Sequence, residues 1–420
     1  MIPATYTLKL NNLLIAILIV ISTQHFFVYR ASQVINIQLF DLILLMYFVT
    51  FFRSMLVIHV DSWLKLFVSM LFFQFVHNIF FSGDSLFVIK ELVQGIELLI
   101  FYIILHKFFS NQNNLNKVID YVFYGLCLLS FIVVMRYFIP IDYGGAANEG
   151  LSFRNYLKRS SVISMLIPII IFSIYYFKNI NYSKKKRILV FFIVILSSYL
   201  GVASESRTFL MLLLIICLGY LFNKKRIVLV TTLLIGILSI TFIIYQDNIS
   251  NKYTSEYAEK VSQTVEYITN DKPFNPHGYK ELMIIELPSN RQRLHYLKLI
   301  YHTGKNNLFF GIGLKQLQGI TNVHGNLFIF FVSYGFFHLL LFLALILNIY
   351  SASKRELKAF PSSLNLMKHY YLFYAIVAIF FVGGGTFPLL PFLIAAALIK
   401  SKNEQRYSDS NNYYSIVSSA

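Results

Sequence analysis

The chain has 420 residues, 57% of them hydrophobic and 13% charged, with a mean hydropathy of +0.64, which excludes a set of soluble domains. Its formal net charge of +17 comes mostly from short Lys/Arg clusters between apolar runs, so it marks membrane topology and excludes a nucleic-acid partner. The two cysteines, Cys127 and Cys217, both fall inside apolar runs, leaving no disulfide framework and no zinc site.

Apolar stretches of roughly 17–24 residues match the length a helix needs to cross a bilayer, and they do not alternate as barrel strands would. The expected fold is all-α: a polytopic membrane helix bundle of about twelve crossings. In chain order the spans are 10–28, 34–52, 62–81, 86–109, 118–139, 160–178, 188–203, 208–222, 227–245, 326–349, 369–385 and 386–400. Lys9 before the first run gives it the look of a signal peptide, but the run is long and no small-residue cleavage site follows, so it reads as a retained first helix. The last two spans are split by Gly383, Gly384 and Gly385, where a re-entrant turn is an alternative. Residues 1–245 thus carry spans one to nine, 246–323 form one large loop, 324–400 carry spans ten to twelve, and 401–420 make a polar tail.

Four basic clusters set the orientation: Lys184 to Arg187, Lys224 to Arg226, Lys354 with Arg355 and Lys358, and Lys400 with Lys402 and Arg406. With twelve spans all four fall on one side, which the positive-inside rule makes cytoplasmic, with both termini. Left outside are residues 140–159, the turn at Ser204 to Arg207, and the loop 246–323, so that His324 opens outward.

A loop of that length is functional or has its own fold. Within it, Ser289 and Gln292 form a capping-box pattern and Gly304 can end the helix they begin. On a 100° wheel Leu294, Leu297, Ile300 and Tyr301 form an apolar arc that includes Arg293, whereas Arg291, His295, Lys298 and His302 share the opposite face. A guanidinium on the packed face persists only when paired, and its place in the first turn suits an anion. Pairing with Glu281 or Glu286 is the plainer reading. Arg207, at a span end, has headgroup snorkelling as its plain reading, and His324 a capping or interfacial role. Arg154, Lys158 and Arg159 of the earlier outer loop bind an acidic group or anchor a helix end. Glu97, near the middle of the fourth span, costs roughly 2.5–3.5 kcal/mol if ionised and unpaired, so it faces a cavity or is paired, with Lys90 on the same stripe as a candidate partner.

The order of these pieces carries a likeness. "SESRTFLMLLLIICLGYLF", then Arg293 followed by "NNLFFGIG" at Asn306 to Gly313, then His324 with Gly335 eleven residues on, resembles the O-antigen ligase and polymerase family of bacterial polysaccharide assembly. The resemblance runs from Ser204 to about Leu347. Two places depart from the family's pattern. Gly325 separates His324 from Asn326, so Asn326 is given no role, and Asn307 stands where a proline is common.

What the resemblance implies is glycan transfer from an undecaprenyl diphosphate carrier outside the bacterial cytoplasmic (inner) membrane. Arg207 and Arg293 would hold the diphosphate, His324 would be the catalytic base, and Arg291, Arg154 and Arg159 are secondary candidates. Guanidinium forks suit phosphate oxygens, and a neutral imidazole suits a hydroxyl proton. The sequence holds no D-x-D pair, P-loop or nucleophile elbow, so no cofactor and no metal is expected. The implied partners are the carrier-linked donor and acceptor, the lipid bilayer and a chain-length regulator protein. A polymerase is preferred over a ligase, and a polysaccharide flippase or transporter is the alternative of another class, distinguished by polar groups at midplane breaks.

Overall fold

The computed structural model describes residues 4–23, 27–30, 36–55, 62–81, 85–109, 112–138, 162–178, 183–203, 305–313, 326–381 and 389–399, with Phe209, Leu212, Leu213 and Ile216. Among the described residues there are ten α-helices: α1 (Ala4–Ile21), α2 (Leu39–Met55), α3 (Ser62–Phe81), α4 (Ser85–Phe109), α5 (Gln112–Phe138), α6 (Val162–Lys178), α7 (Lys184–Ala203), α8 (Asn326–Ala359), α9 (Ser363–Phe381) and α10 (Leu389–Leu398). A short antiparallel pair, β1 (Phe27–Arg30) and β2 (Asn36–Gln38), stands between α1 and α2 as the one departure from helix. The expected span at 227–245 lies outside the described residues, as do most of that at 208–222, the loop 246–323 apart from 305–313, and the tail 401–420.

Helix is what these runs form because an apolar chain in hydrocarbon must satisfy every backbone N–H and C=O within itself. By length and composition Ser62–Phe81, Leu115–Met135, Lys184–Ala203 and Phe331–Ala359 can each cross a membrane, and shorter apolar helices lie at Leu10–Ile21, Leu39–Thr50, Met165–Phe177 and Leu389–Leu398. The first helix stops at Ile21 rather than reaching 28, because the Ser22 and Thr23 hydroxyls donate to the Ile19 and Val20 carbonyls, each at 2.7 Å. Conversely, α8 continues ten residues past the expected end at 349, carrying Lys354, Arg355 and Lys358 on its last turns.

Helices α6, α9 and α10 form the centre. α9 packs on α6, α8 and α10, and α10 reaches across to α4. α10 is buried along its whole length, and α6 from Met165 to Tyr176. The outer helices are apolar on both sides: Phe72, Phe80, Phe131, Phe192 and Leu347 are all more than 60% exposed, a surface suited to lipid and a liability in water.

Polar ties pin the helix turns. Asp120 of α5 accepts from Tyr176 Oη of α6 at 2.6 Å and from Lys186 Nζ of α7 at 3.2 Å, and the same ammonium lies 4.9 Å over the Tyr176 ring. Between α8 and α9, Lys368 donates to Glu356 at 2.9 Å with both side chains buried, and Ser353 meets His369 at 2.9 Å. Near Glu97, α2 packs on α4 through Phe40 and Phe101, with ring centroids 5.2 Å apart.

Candidate functional site

The "NNLFFGIG" segment forms a strap. Lys305–Asn307 make one 3₁₀ turn, a turn follows to Phe310, and Gly311 to Gly313 continue without regular structure. It seats in a break of α8 at Gly335, where φ is 78° and ψ is −177°.

The break and the strap complete each other. In an unbroken helix the Val332 and Ser333 carbonyls would accept from the N–H groups four residues on. Here they accept instead from Ile312 N–H at 3.1 Å and Gly313 N–H at 2.8 Å. The freed Phe336 N–H donates to the carbonyls of Leu308 and Phe309, at 3.1 and 3.0 Å. A membrane helix tolerates a break when another backbone takes up the released groups, and the strap does so.

Glycine is required on both sides of this contact. A Cβ on Gly335 would lie 2.5 Å from Phe310 C and 2.7 Å from Gly311 N, and one on Gly311 would lie 2.5 Å from Ser333 C and 2.6 Å from Gly335 N. Both residues have positive φ, as does Gly313, whose missing Cβ faces Phe81 of α3. The two backbones therefore touch directly.

Beneath the strap, α3 and α8 run antiparallel and hold a buried polar cluster. The His77 ring stacks on Phe81 with centroids 4.4 Å apart and meets Tyr334 edge-on at 5.5 Å. One turn further from the strap, Gln74 Nε2 lies 2.8 Å from His338 Nε2, and the His338 ring stacks on Phe73 at 6.1 Å. Tyr334 meets the Asn78 side chain. His77 is 4% exposed, and among the described residues its two ring nitrogens, Asn78 Oδ1 and Ser333 Oγ are buried without a hydrogen-bond partner. Each such buried atom costs about 1–3 kcal/mol. Beside the cluster, a cavity of about 160 Å³ between α3 and α4 is polar at Gln74, Asn78 and Glu91 and apolar at Leu71, Gly95 and Leu99.

The residues expected from sequence to form the site, Arg207, Arg293 and His324 with Arg291, Arg154 and Arg159, lie outside the described residues. The structure describes what flanks three of them. The strap begins twelve residues after Arg293, α8 opens at Asn326 two residues after His324, and Phe209, two residues after Arg207, packs its ring against Gly201 of α7. Sequence reasoning missed His77, Asn78 and His338. The available signal was an ionisable or amide side chain inside a predicted span, which by default marks a functional position. Among the described residues no three His, Cys, Asp or Glu side chains gather as a metal site would need.

No curated protein matches the chain. Residues 192–343 match a family model described as O-Antigen ligase, a stretch that takes in Arg207, Arg293, His324, the whole strap and the break in α8. The chain thus carries, at residues 192–343, a domain that matches the O-antigen ligase family.

Proposed function

We propose that the protein is a membrane glycosyltransferase that joins polyprenyl-diphosphate-linked oligosaccharide units on the outer face of the bacterial cytoplasmic membrane. The observation that carries this reading is the family match over residues 192–343, because that stretch contains the two arginines and the histidine to which the chemistry is assigned.

A sugar diphosphate already has a good leaving group, so the protein must neutralise the departing charge and orient the acceptor. Arg207 and Arg293 grip the diphosphate through bidentate forks. His324 accepts the acceptor hydroxyl's proton as that oxygen bonds to the anomeric carbon, while the bond from that carbon to the diphosphate breaks and the electron pair leaves with the carrier. Displacement from the opposite face inverts the anomeric centre, and no metal takes part.

The test is reconstitution with carrier-linked repeat units in the presence of a chelator. Chains lengthen without metal, and Arg207→Ala, Arg293→Ala and His324→Ala each abolish lengthening, whereas Arg291→Ala impairs it less. Equal loss at Arg291 and Arg293 defeats the helical-face argument, and a metal requirement defeats the mechanism. A ligase is the second reading within the family. In a deletion strain, single repeat units on the surface lipid mark a polymerase, and full-length polymer left on the carrier marks a ligase. Transport is disfavoured by the break in α8. Transporters aim the groups freed by a broken helix at substrate, but here the Val332 and Ser333 carbonyls and the Phe336 N–H are taken up by the strap.

A further inference from the structure

Helix α3 ends at Phe81 and α4 begins at Ser85, so the two pair as a hairpin whose closed end lies at the strap, where Phe81 packs under Gly313. Between them runs the cavity of about 160 Å³. Glycine at position 95 helps keep it open, since a Cβ there would meet the Leu71 side chain at 3.4 Å. Three of its lining residues, Val68, Phe72 and Ile96, are 42%, 66% and 45% exposed, so it opens sideways onto the apolar outer surface. A cavity of about 150 Å³ with apolar walls takes up a benzene-sized hydrocarbon, and this one has the bore of a single lipid chain.

The end nearest the strap is polar and of one sign. Asn78 is 1% exposed, and among the described residues its Oδ1 has no hydrogen-bond partner. Gln74 is committed through Nε2 to His338, and Glu91 of α4 adds a carboxylate to the same wall. Among the described residues no Lys or Arg lines the cavity. Lys90 is next in the chain, but consecutive residues of a helix do not face one another. A carboxylate within a span is costly unless paired. The wall therefore favours an entering N–H donor of positive charge and repels a phosphate, while Lys90 beside it suits an anion.

We propose that this cavity is a binding site for an aminophospholipid of the surrounding bilayer. One acyl chain lies between α3 and α4 along Leu71, Gly95 and Leu99, the ethanolamine ammonium donates to Glu91 and Asn78, and the lipid phosphate lies against Lys90. A polyprenyl diphosphate carrier fits less well, because its head has no ammonium and Glu91 repels it. The bound lipid braces α3 from the α4 side while α8 packs on it from another, and so supports the seat of the strap at Phe81. This site does not rest on the glycosyl-transfer reading, and its occupancy is read without turnover.

The experiment places the full-length protein in phosphatidylcholine nanodiscs with a trace of phospholipid carrying a diazirine midway along one acyl chain. The probe's headgroup is ethanolamine, choline or glycerol, and a polyprenyl phosphate with a diazirine in its chain is the fourth probe. After illumination, mass spectrometry reads labelling of residues 68–78 and 91–99. The ethanolamine lipid labels them about tenfold more than the choline or glycerol lipid, the gain of one charge-assisted hydrogen bond. Glu91→Gln, which keeps the side chain's shape, lowers the ethanolamine lipid to about the choline level. Gly95→Leu fills the cavity and removes labelling by all probes; Glu91→Gln carries the test should the Leu variant not insert. Equal labelling by the three headgroups marks unselective bilayer lipid and overturns the proposal. So does stronger labelling by polyprenyl phosphate, which assigns the cavity to the carrier, and so does unchanged labelling in either variant.

Discussion

Replacing Gly335 with alanine should be among the most damaging single-methyl changes in the protein. At φ 78° and ψ −177° the residue occupies a region essentially reserved for glycine, and an L side chain there costs about 1–3 kcal/mol. The added methyl would lie 2.5 Å from Phe310 C, against 3.4 Å for an ordinary contact, so the strap must retreat by about 1 Å. That retreat stretches bonds now at 2.8–3.1 Å past hydrogen-bond range. Losing two or three of them, at about 0.5–1.5 kcal/mol each, brings the total to roughly 2–8 kcal/mol. Equilibrium unfolding by SDS in mixed micelles measures the loss, and amide exchange at Ile312 and Gly313 localises it. Gly95→Ala is the control, because its Cβ meets only the flexible Leu71 side chain at 3.4 Å and the change stays within about 1 kcal/mol. If Gly335→Ala unfolds at the same point as Gly95→Ala, the backbone-to-backbone seat of the strap is refuted.

Two further expectations concern packing elsewhere. Lys368→Met leaves Glu356 charged and unpaired in a site where the two side chains are 3% and 10% exposed, and should cost about 3–5 kcal/mol in the same unfolding assay. The double variant Lys368→Met with Glu356→Leu should recover most of that, and a double variant as unstable as the single one would show that the pair itself is not the cause. Gly201→Ala places a methyl inside the Phe209 ring, so it should destabilise by about 1–3 kcal/mol and reduce transfer through displacement of the segment around Arg207. Phe209→Leu in the same chain should restore both, and failure to do so locates the effect elsewhere.

The helices were legible in the sequence because their causes are local. Apolar runs of bilayer length have one way to satisfy their backbones, so α3, expected at 62–81, is found there, and α4 and α6 begin within two residues of expectation. Ends were less legible. The hydroxyls of Ser22 and Thr23 terminate α1 early, and a basic helical turn extends α8 beyond the apolar run. The motif glycines were visible as spacing, but their reason was not. Gly311 and Gly335 stand 24 residues apart in the chain, and only their contact explains why neither can carry a Cβ.

Composition, run length and the placement of basic clusters determined by themselves that this is a helical membrane protein, and the order of short motifs pointed to the family model that residues 192–343 match, because these properties are additive along the chain. Tertiary structure decided that a loop backbone heals the break in α8 and that His77, Asn78, Tyr334 and His338 share one buried cluster. Those facts depend on which faces of separate helices meet. A uniformly apolar run leaves that choice to packing, so no periodicity announces it in advance.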